Sequence, residues 1–599
     1  MSVNYWSNVL AGRLTRRRAL AASGSMALGG AILAACGGDG AGKGPADKSG
    51  LLAPALDETD RAKPGGTFVT AGASTSGTLD AHFNNQTASF REIFDIYSTP
   101  LKWGLSVGKM PSPSSITGDA FESWEISPDG LQITLKLRPN LKFDPRPPTN
   151  GRAMTIDDVK WSWDRSSAGS AVMAEVLNAK GEAGPLLSLN TPDDRTAVIK
   201  LAFPYGGITE LLSFWYFFIM PRDAESQLKT DPRGSGPWQL VKHDPNGTGI
   251  EYRRNPNWYV KGQPYLDGMI KYSIPEYATQ QAQFESGALW AMEPTSTTRQ
   301  NEVLRVKRDH PNLILRQKAT SYWSLPHHIH WVLSQREDSP FKDQRLRQAA
   351  SMLYDREAYV ETIYNVSEFT AAGMPFEIVS DSHLATQAFN WIDPRDKAFG
   401  ENGKYFKYNL QEAKKLIAAS GFTGTIEMNS RGASPSGQFQ ISADIIYGML
   451  EAGGLKVRLN PVDPRTEWVK YKATGYQGYS GMFQNTMQAY NEDLNLVSKY
   501  TPSGRNRYSD TATPGITDRI IKMQQELDLN RRGQLIKQIV KDLAPLMPDL
   551  PQDYDQKPYV LHWPWIRNYN TFATLGFDSE ENTSGRTSTV YWYDASKKT

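Results

Sequence analysis

Apolar and polar residues alternate with period two at Trp124 and Ile126, and again at Ile133, Leu135 and Leu137 between Gln132, Thr134 and Lys136. Ser127-Pro128-Asp129-Gly130 separates the two runs, so the pattern predicts a half-buried β-hairpin. Upstream, Pro64-Gly65-Gly66-Thr67-Phe68-Val69 predicts a turn into a strand, followed by the Ser/Thr-rich loop Ser74-Thr75-Ser76-Gly77-Thr78. Helical spacing takes over at Thr155-Ile156-Asp157-Asp158, which opens a helix carrying Val159, Trp161 and Trp163. Thr155 with an acid three residues later is a capping-box pattern, and first-turn carboxylates suit the helix dipole, so these aspartates need no acid–base role. Asn409 and Glu412 cap a second helix (Leu410, Ala413, Leu416, Ile417) ended by Gly421, and Leu535, Ile536, Ile539, Val540 and Leu543 share the face of a third, stopped by Pro545. Leu211–Met220 is apolar throughout but ends at Pro221. It is too short to cross a bilayer and reads as a buried strand or helix. Strands and helices alternate irregularly, which predicts mixed α/β lobes.

The N-terminus follows another logic. The basic cluster Thr15-Arg16-Arg17-Arg18 precedes an uncharged Ala/Leu/Gly segment from Ala19 to Ala35, the order of an export signal. Leu33-Ala34-Ala35-Cys36 resembles the bacterial lipobox, and Cys36 is the single cysteine of the chain. The resemblance implies cleavage before Cys36 and acylation of its thiol, giving a signal peptide over 1–35 and a lipid anchor. The plainer alternative is an ordinary signal cut beside an incidental cysteine. Arg16 and Arg17 also resemble the twin-arginine export motif, with Ala19 where Phe is more usual; a general-secretion signal with a basic start is the alternative. Residues 36–63, rich in Gly, Ala and Asp, read as a flexible stalk.

Cleavage before Cys36 leaves more chain than one core accommodates, so two or more lobes are expected. A net charge of +2 argues against a nucleic-acid partner. Aromatic residues make up 11% of the chain, which allows stacking surfaces, although most aromatics serve cores.

Several segments, each degenerate alone, form a specific series. Phe121 to Gly130 is followed by Leu137-Arg138, Lys142-Phe143 and Thr155 to Val159. Gly234-Ser235-Gly236-Pro237-Trp238, Arg254-Asn255-Pro256-Asn257-Trp258-Tyr259, Pro264-Tyr265-Leu266-Asp267 and Phe284-Glu285-Ser286-Gly287 come next. Pro340 to Ala349, Ala413-Lys414-Lys415 and Gly453 to Val457 complete it. In this order they resemble the family 5 solute-binding proteins of ABC importers, the oligopeptide- and dipeptide-binding class, over about residues 64–599. Two departures stand out: a proline-rich loop, Asp144 to Gly151, replaces the usual His-Asp-Gly turn, and the Asp expected after Gly287 is absent.

The resemblance implies a periplasmic-binding-protein-like two-lobe clamshell with mixed sheets and an extra subdomain in lobe I. Lobe I would span 64–312 with a returning tail at 555–599, and lobe II 313–554. It implies a monomeric, exported, lipid-anchored binder with no enzymatic activity and no cofactor, delivering a peptide-like solute to a membrane permease and its ATPase subunits. Ligand would shift an open–closed equilibrium by hinge bending. In peptide binders of this class a lobe II aspartate pairs with the peptide α-amino group. The corresponding stretch, Gly481 to Tyr490, carries Phe483 for the aromatic but Asn485 and Thr486 near the aspartate's place. An α-ammonium buried without a counter-charge is costly; a neutral hydroxyl-rich ligand, such as an oligosaccharide or glycoside, is the alternative, and Asp493 would substitute only with the wrong spacing. His327, His328 and His330 are a poor metal tripod on a strand, though nickel complexes are bound by some family members. Ligand contacts are therefore expected from Ser74 and Thr75 on lobe I and from Trp323, His328, Phe483, Asn485 and Thr486 on lobe II. A lipidated hydrolase is the alternative of another class, but neither a Gly-x-Ser-x-Gly elbow nor a His-Glu-x-x-His helix is present.

Cys36→Ser is expected to convert a membrane-anchored protein into a soluble or uncleaved one. Carbonate-washed membranes that still hold a processed Cys36→Ser chain would contradict the anchor.

Overall fold

The computed structural model describes residues 46–72, 77–83, 87–107, 113–170, 173–178, 184–244, 249–292, 298–317, 329–384, 390–431, 438–462, 480–486, 492–501, 515–555, 558–573 and 586–598. In chain order the first lobe holds β1 (Thr67–Gly72), β2 (Phe121–Ile126), β3 (Gln132–Leu137), α1 (Ile156–Gly169), β4 (Leu186–Asn190), β5 (Thr196–Leu201), α2 (Ile208–Leu212), β6 (Trp238–Asp244), β7 (Gly249–Arg254) and β8 (Gly268–Ser273). They form two four-stranded sheets, ordered β1-β8-β7-β6 and β2-β3-β5-β4. The second contains the expected hairpin, with Trp124 opposite Leu135 and Ile126 opposite Ile133. Its outer strand is less buried than period two suggests, because β2 is a sheet edge and Ile126 faces solvent. Helix α1 begins as expected: the Asp158 carboxylate accepts from Thr155 N at 2.9 Å and ion-pairs Arg152 at 2.8 Å, a structural use of the acid. Leu211–Met220 is buried throughout, beginning in α2 and continuing as turn and extended chain.

Strand β9 (Ile314–Gln317) crosses to the second lobe, which holds β10 (Ile329–Leu333), α3 (Gln344–Leu353), α4 (Leu410–Ser420), β11 (Thr425–Arg431), α5 (Gln438–Ala452), β12 (Lys456–Val462), β13 (Met482–Thr486), α6 (Glu492–Tyr500), α7 (Ile516–Gln524), α8 (Leu529–Leu543) and β14 (Asp549–Leu550). Its sheet is five-stranded, ordered β12-β11-β13-β10-β14. Asn409 caps α4 by accepting from Glu412 N, and Gly421 ends that helix in the left-handed conformation. Strand β15 (Tyr559–His562) then returns antiparallel to β9, and the chain finishes on the first lobe.

Packing follows this path. One core gathers side chains from Phe68 to Ala291 and again from Trp565 to Tyr591, and a second gathers Trp331 to Leu550. A smaller third core sits at the joint, where Ala71, Phe284, Val303, Val306 and Leu315 meet Phe369, Met374, Tyr559 and Leu561.

The described part of the expected stalk, residues 46–63, is docked, a correction to the reading of a flexible linker. Lys48 N donates to Gly373 O at 2.8 Å, and Ala53 N donates to Leu315 O at 2.9 Å. Leu52 forms a parallel bridge with Leu315 and packs on the joint core. Farther along, Glu58 N donates to Asn568 Oδ1 at 2.9 Å, and its carboxylate pairs with Arg567. Composition predicts flexibility from the lack of apolar residues, but a strand edge supplies backbone partners that composition does not reveal.

The returning tail is tied down by a buried pair. Arg586 is 1% exposed; its Nη2 donates to Asp119 Oδ2 at 2.5 Å and to Tyr97 O at 3.0 Å. The second Asp119 oxygen accepts from Tyr259 OH at 3.0 Å. Removing one partner of such a pair strands the other charge in the core, at a cost of about 3–5 kcal/mol. Arg586→Ala is therefore expected to lower the unfolding free energy of the first lobe by that amount, read from its shifted denaturant midpoint. A loss below about 1 kcal/mol, the level of an exposed pair, would show that the tail is held elsewhere.

Candidate functional site

The second lobe's sheet changes character along its strands. In β11 the buried Ile426 and Met428 give way to Asn429, Ser430 and Arg431, and in β13 Met482 and Phe483 give way to Gln484, Asn485 and Thr486. These strands run parallel, so both polar ends lie at one edge. Antiparallel β10 brings Ile329 opposite Thr486 and His330 opposite Asn485 at the same edge. Carboxyl ends of parallel strands are where open α/β sheets present backbone and side-chain groups to ligands. The row is pre-ordered: Gln484 Oε1 accepts from Arg431 N at 3.0 Å, and Gln484 Nε2 donates to Phe439 O at 2.9 Å. Asn429 Nδ2 donates to Met482 O at 3.2 Å, and the Arg431 guanidinium lies 4.7 Å from the Phe439 ring centre. Among its described residues the row carries one arginine and no carboxylate.

Among the expected ligand contacts, Asn485 and Thr486 fall on this edge, Asn485 with its side chain buried. Phe483 is fully buried in the second core, where an aromatic on a central strand contributes packing, so it is set apart from the polar edge. Ser74, Thr75, Trp323 and His328 lie outside the described residues, as do Cys36, Arg16 and Arg17. Among the described residues no group of three or more His, Cys, Asp or Glu is arranged to hold a metal, and no helix is long and apolar enough to cross a membrane.

Two polar clusters escaped the sequence reading. Behind β10, His383 Nδ1 and Asp549 Oδ1 lie 2.5 Å apart, both fully buried, with Tyr500 OH donating to the same oxygen at 3.4 Å. Burial opposes the Asp549 charge, but the facing His383, His330 and Lys499 outweigh it and hold the carboxyl below its ordinary range. The Lys499 ammonium, wholly buried, is pushed down to about 8. The second cluster joins the lobes. Arg532 of α8 reaches Glu210 of α2 at 3.3 Å and Asp493 of α6 at 3.7 Å, while Asn390 donates through both its N and Nδ2 to Glu492 at 2.7 Å. Asp493, considered above as a stand-in for the peptide anchor, thus already faces a guanidinium. Gly206 N donates to Gln524 O across the same boundary at 3.4 Å, and Leu494 packs into the first lobe's core.

The sequence model of the bacterial extracellular solute-binding proteins, family 5, matches residues 115–507, more than half of the chain. The chain belongs to this family. Its relatives include heme-binding protein A of Haemophilus influenzae, 26% identical over 60% of this chain and 63% of that protein, so the match spans a little under two thirds of that relative's length. Di/tripeptide-binding protein 2 of Pseudomonas aeruginosa is 23% identical over 84% of this chain and 92% of its own. In fold, the chain resembles the periplasmic binding protein DppA of Helicobacter pylori, solved with the peptide STSA, at a TM-score of 0.70 over 89% of this chain and 99% of that one, with 18% identity. A family 5 solute-binding protein is a two-lobe extracytoplasmic binder.

If the Gln484 bracing holds β11 and β13 together at the edge, Gln484→Ala removes two buried bonds, each worth about 1 kcal/mol net. It should lower the thermal midpoint of the second lobe while leaving the first lobe's transition unchanged by calorimetry. Loss confined to the first lobe would refute the assignment.

Proposed function

We propose that this family 5 protein captures a peptide-like solute between its lobes and hands it to an ABC permease, held at the cell envelope by a lipid on Cys36. The observation that carries this reading is the polar carboxyl edge of the lobe II sheet: Asn485, Thr486 and Arg431 lie at the same end of parallel strands whose other end is core. The likeness to di/tripeptide-binding protein 2 of P. aeruginosa supports a peptide, and the lipobox resemblance at Leu33–Cys36 supports the anchor. Binding needs no bond chemistry, so the protein acts without turnover. Solute binds both lobes only when they approach, and closure follows from that differential affinity.

The charge pattern of the edge narrows the class. With Arg431 present and neutral residues at 485 and 486, the edge suits a carboxylate or an amide-rich segment better than a free α-ammonium. Ser74, Thr75, Trp323 and His328 are proposed to complete the site. A neutral glycoside is the second reading, favoured by the same uncharged pair.

The test is a thermal-shift screen of tripeptides, each with a free and an N-acetylated amino terminus, alongside oligosaccharides. A ligand at about a hundred times its dissociation constant adds about 2.7 kcal/mol to the folded state. Acetylation is expected to leave the shift of the best peptide within a few-fold in affinity. Abolished binding on acetylation would reveal an acidic anchor and refute the neutral edge. Shifts from oligosaccharides alone would transfer the assignment to the glycoside reading.

A further inference from the structure

We propose that residues 48–59 are a strap over the hinge, which favours the closed arrangement by gripping both lobes beside the β9–β15 pair. The strap has three grips. At its start, Lys48 N donates to Gly373 O at 2.8 Å. Gly373 follows the short helix Val366–Ala371, which only Asn365 separates from the helix Arg356–Tyr364. Tyr359, Val360 and Tyr364 of that longer helix are set in the second lobe's core, so this grip is on the second lobe. In the middle, Leu52 bridges Leu315 of β9, Ala53 N donates to Leu315 O at 2.9 Å, and the Leu52 side chain packs on the joint core. At its end, Glu58 N donates to Asn568 Oδ1 at 2.9 Å, Asn568 Nδ2 donates to Thr59 Oγ1 at 3.1 Å, and the Glu58 carboxylate pairs with Arg567. Arg567 and Asn568 lie between Ile566 and Tyr569, both in the first lobe's core, so this grip is on the first lobe.

The backbone is shaped for this contact. Gly373 has a φ of 76°, and a Cβ there would lie 3.3 Å from Lys48 C and 3.4 Å from Ser49 N. Glycine allows both the conformation and the close approach of the strap. Local turns shape the two ends: Asp47 Oδ1 accepts from Ser49 N at 2.9 Å, and Asp57 Oδ1 accepts from Thr59 N at 2.9 Å. The crossing strands are thus held on both outer edges. His562 of β15 bridges Ala291 of the first lobe, and Leu315 of β9 bridges Leu52 of the strap. The strap's hold on β9 is a single isolated bridge. A contact this small biases an equilibrium without freezing it.

Bending at β9 and β15 turns Gly373, with the second lobe, relative to Asn568 on the first. The strap is fixed to both, so its grips are satisfied together only near the hinge angle of this structure. At that angle the lobes touch: Gly206 N donates to Gln524 O at 3.4 Å, and Arg532 reaches Glu210 at 3.3 Å. The strap therefore lends its binding free energy to the closed form and loses part of it when the lobes part, which shifts the equilibrium toward closure. A larger closed fraction raises the apparent affinity for solute in proportion. The inference rests on the clamshell reading of the two lobes and is independent of which solute is bound.

The experiment uses the Cys36→Ser chain in three forms: otherwise unchanged, with Leu52→Asp and Ala53→Pro together, and with residues 46–57 deleted. Amide exchange comes first. The Lys48 and Ala53 amides should be protected in the unchanged form and the Lys48 amide exposed in the double variant, while β3, β10 and β13 keep their protection in all three. Small-angle scattering without solute then gives the closed-to-open ratio. It is expected to fall about fivefold in both altered forms, the equivalent of one net hydrogen bond. Unprotected Lys48 and Ala53 amides in the unchanged form, or one ratio shared by all three forms, overturns the strap. A fall in the double variant that the deletion does not share belongs to the introduced aspartate and overturns it too. Titration with the best tripeptide of the screen separates the two readings. Compaction by peptide with equal affinity in all three forms overturns the strap and keeps the clamshell. No compaction by any peptide, beside the expected fall in the solute-free ratio, keeps the strap and overturns the peptide reading.

Discussion

Four backbone pairs carry the molecule's second lobe. Ile314, Leu315, Arg316 and Gln317 lie opposite His562, Leu561, Val560 and Tyr559, and this antiparallel pair is the joint between two cores that otherwise gather their own side chains. Both lobes grip it. Gln300, from the first lobe, exchanges two hydrogen bonds with the Tyr559 backbone at 2.8 and 2.9 Å. From the other side, the Tyr559 ring stacks on Phe369 at 4.7 Å, and its hydroxyl donates to Pro375 O. A short ribbon held at both ends can bend by small changes in a few dihedrals while each core moves as a unit, which is the physical requirement for hinge motion.

The lobes also touch away from that ribbon, and the two contacts differ in kind. The joint core is apolar, so its contribution scales with the area it removes from water and is indifferent to pH. The Glu210–Arg532–Asp493 contact is ionic, so its worth is the difference between Coulomb attraction and the desolvation of buried charges. A buried ion pair often does little better than a hydrophobic substitute. Its presence at a lobe boundary therefore suits a contact that must form and break, where an apolar seal of equal area would leave an exposed patch each time the lobes parted.

Local signals were legible in the sequence and non-local ones were not. The 121–137 hairpin, the Thr155–Asp158 box and the Asn409 cap each depend on residues within a few positions, and each formed as read. The family followed from many such short segments in order. The docking of residues 46–63 went unseen because its partners, Leu315, Gly373 and Asn568, lie hundreds of positions away. The pair that joins the lobes was invisible for the same reason: Glu210 and Arg532 are separated by 322 positions. Neither Glu210 nor Arg532 sits in a motif. Asn485 and Thr486, expected by comparison with a family pattern, lie at the polar end of β13, while Phe483 of the same strand is core, since an aromatic on a central strand serves packing as readily as a ligand.

The docked N-terminal segment bears on how a tethered binder can work. Leu52 adds to the edge of β9 not used by β15, so the segment covers an otherwise unpaired strand edge. It touches Gly373 beside the joint core and, ten residues on, Glu58 meets Arg567 and Asn568 of the first lobe's tail. Among the described residues, the N-terminal segment therefore meets the folded body beside the bending ribbon. A lipid on Cys36, as proposed, would pull on the molecule near its hinge axis, where displacement during closure is smallest. Anchoring at a rim would make each closing stroke work against the tether. With the proposed anchor, attachment near the joint would leave both lobes free to meet around a solute at the membrane surface.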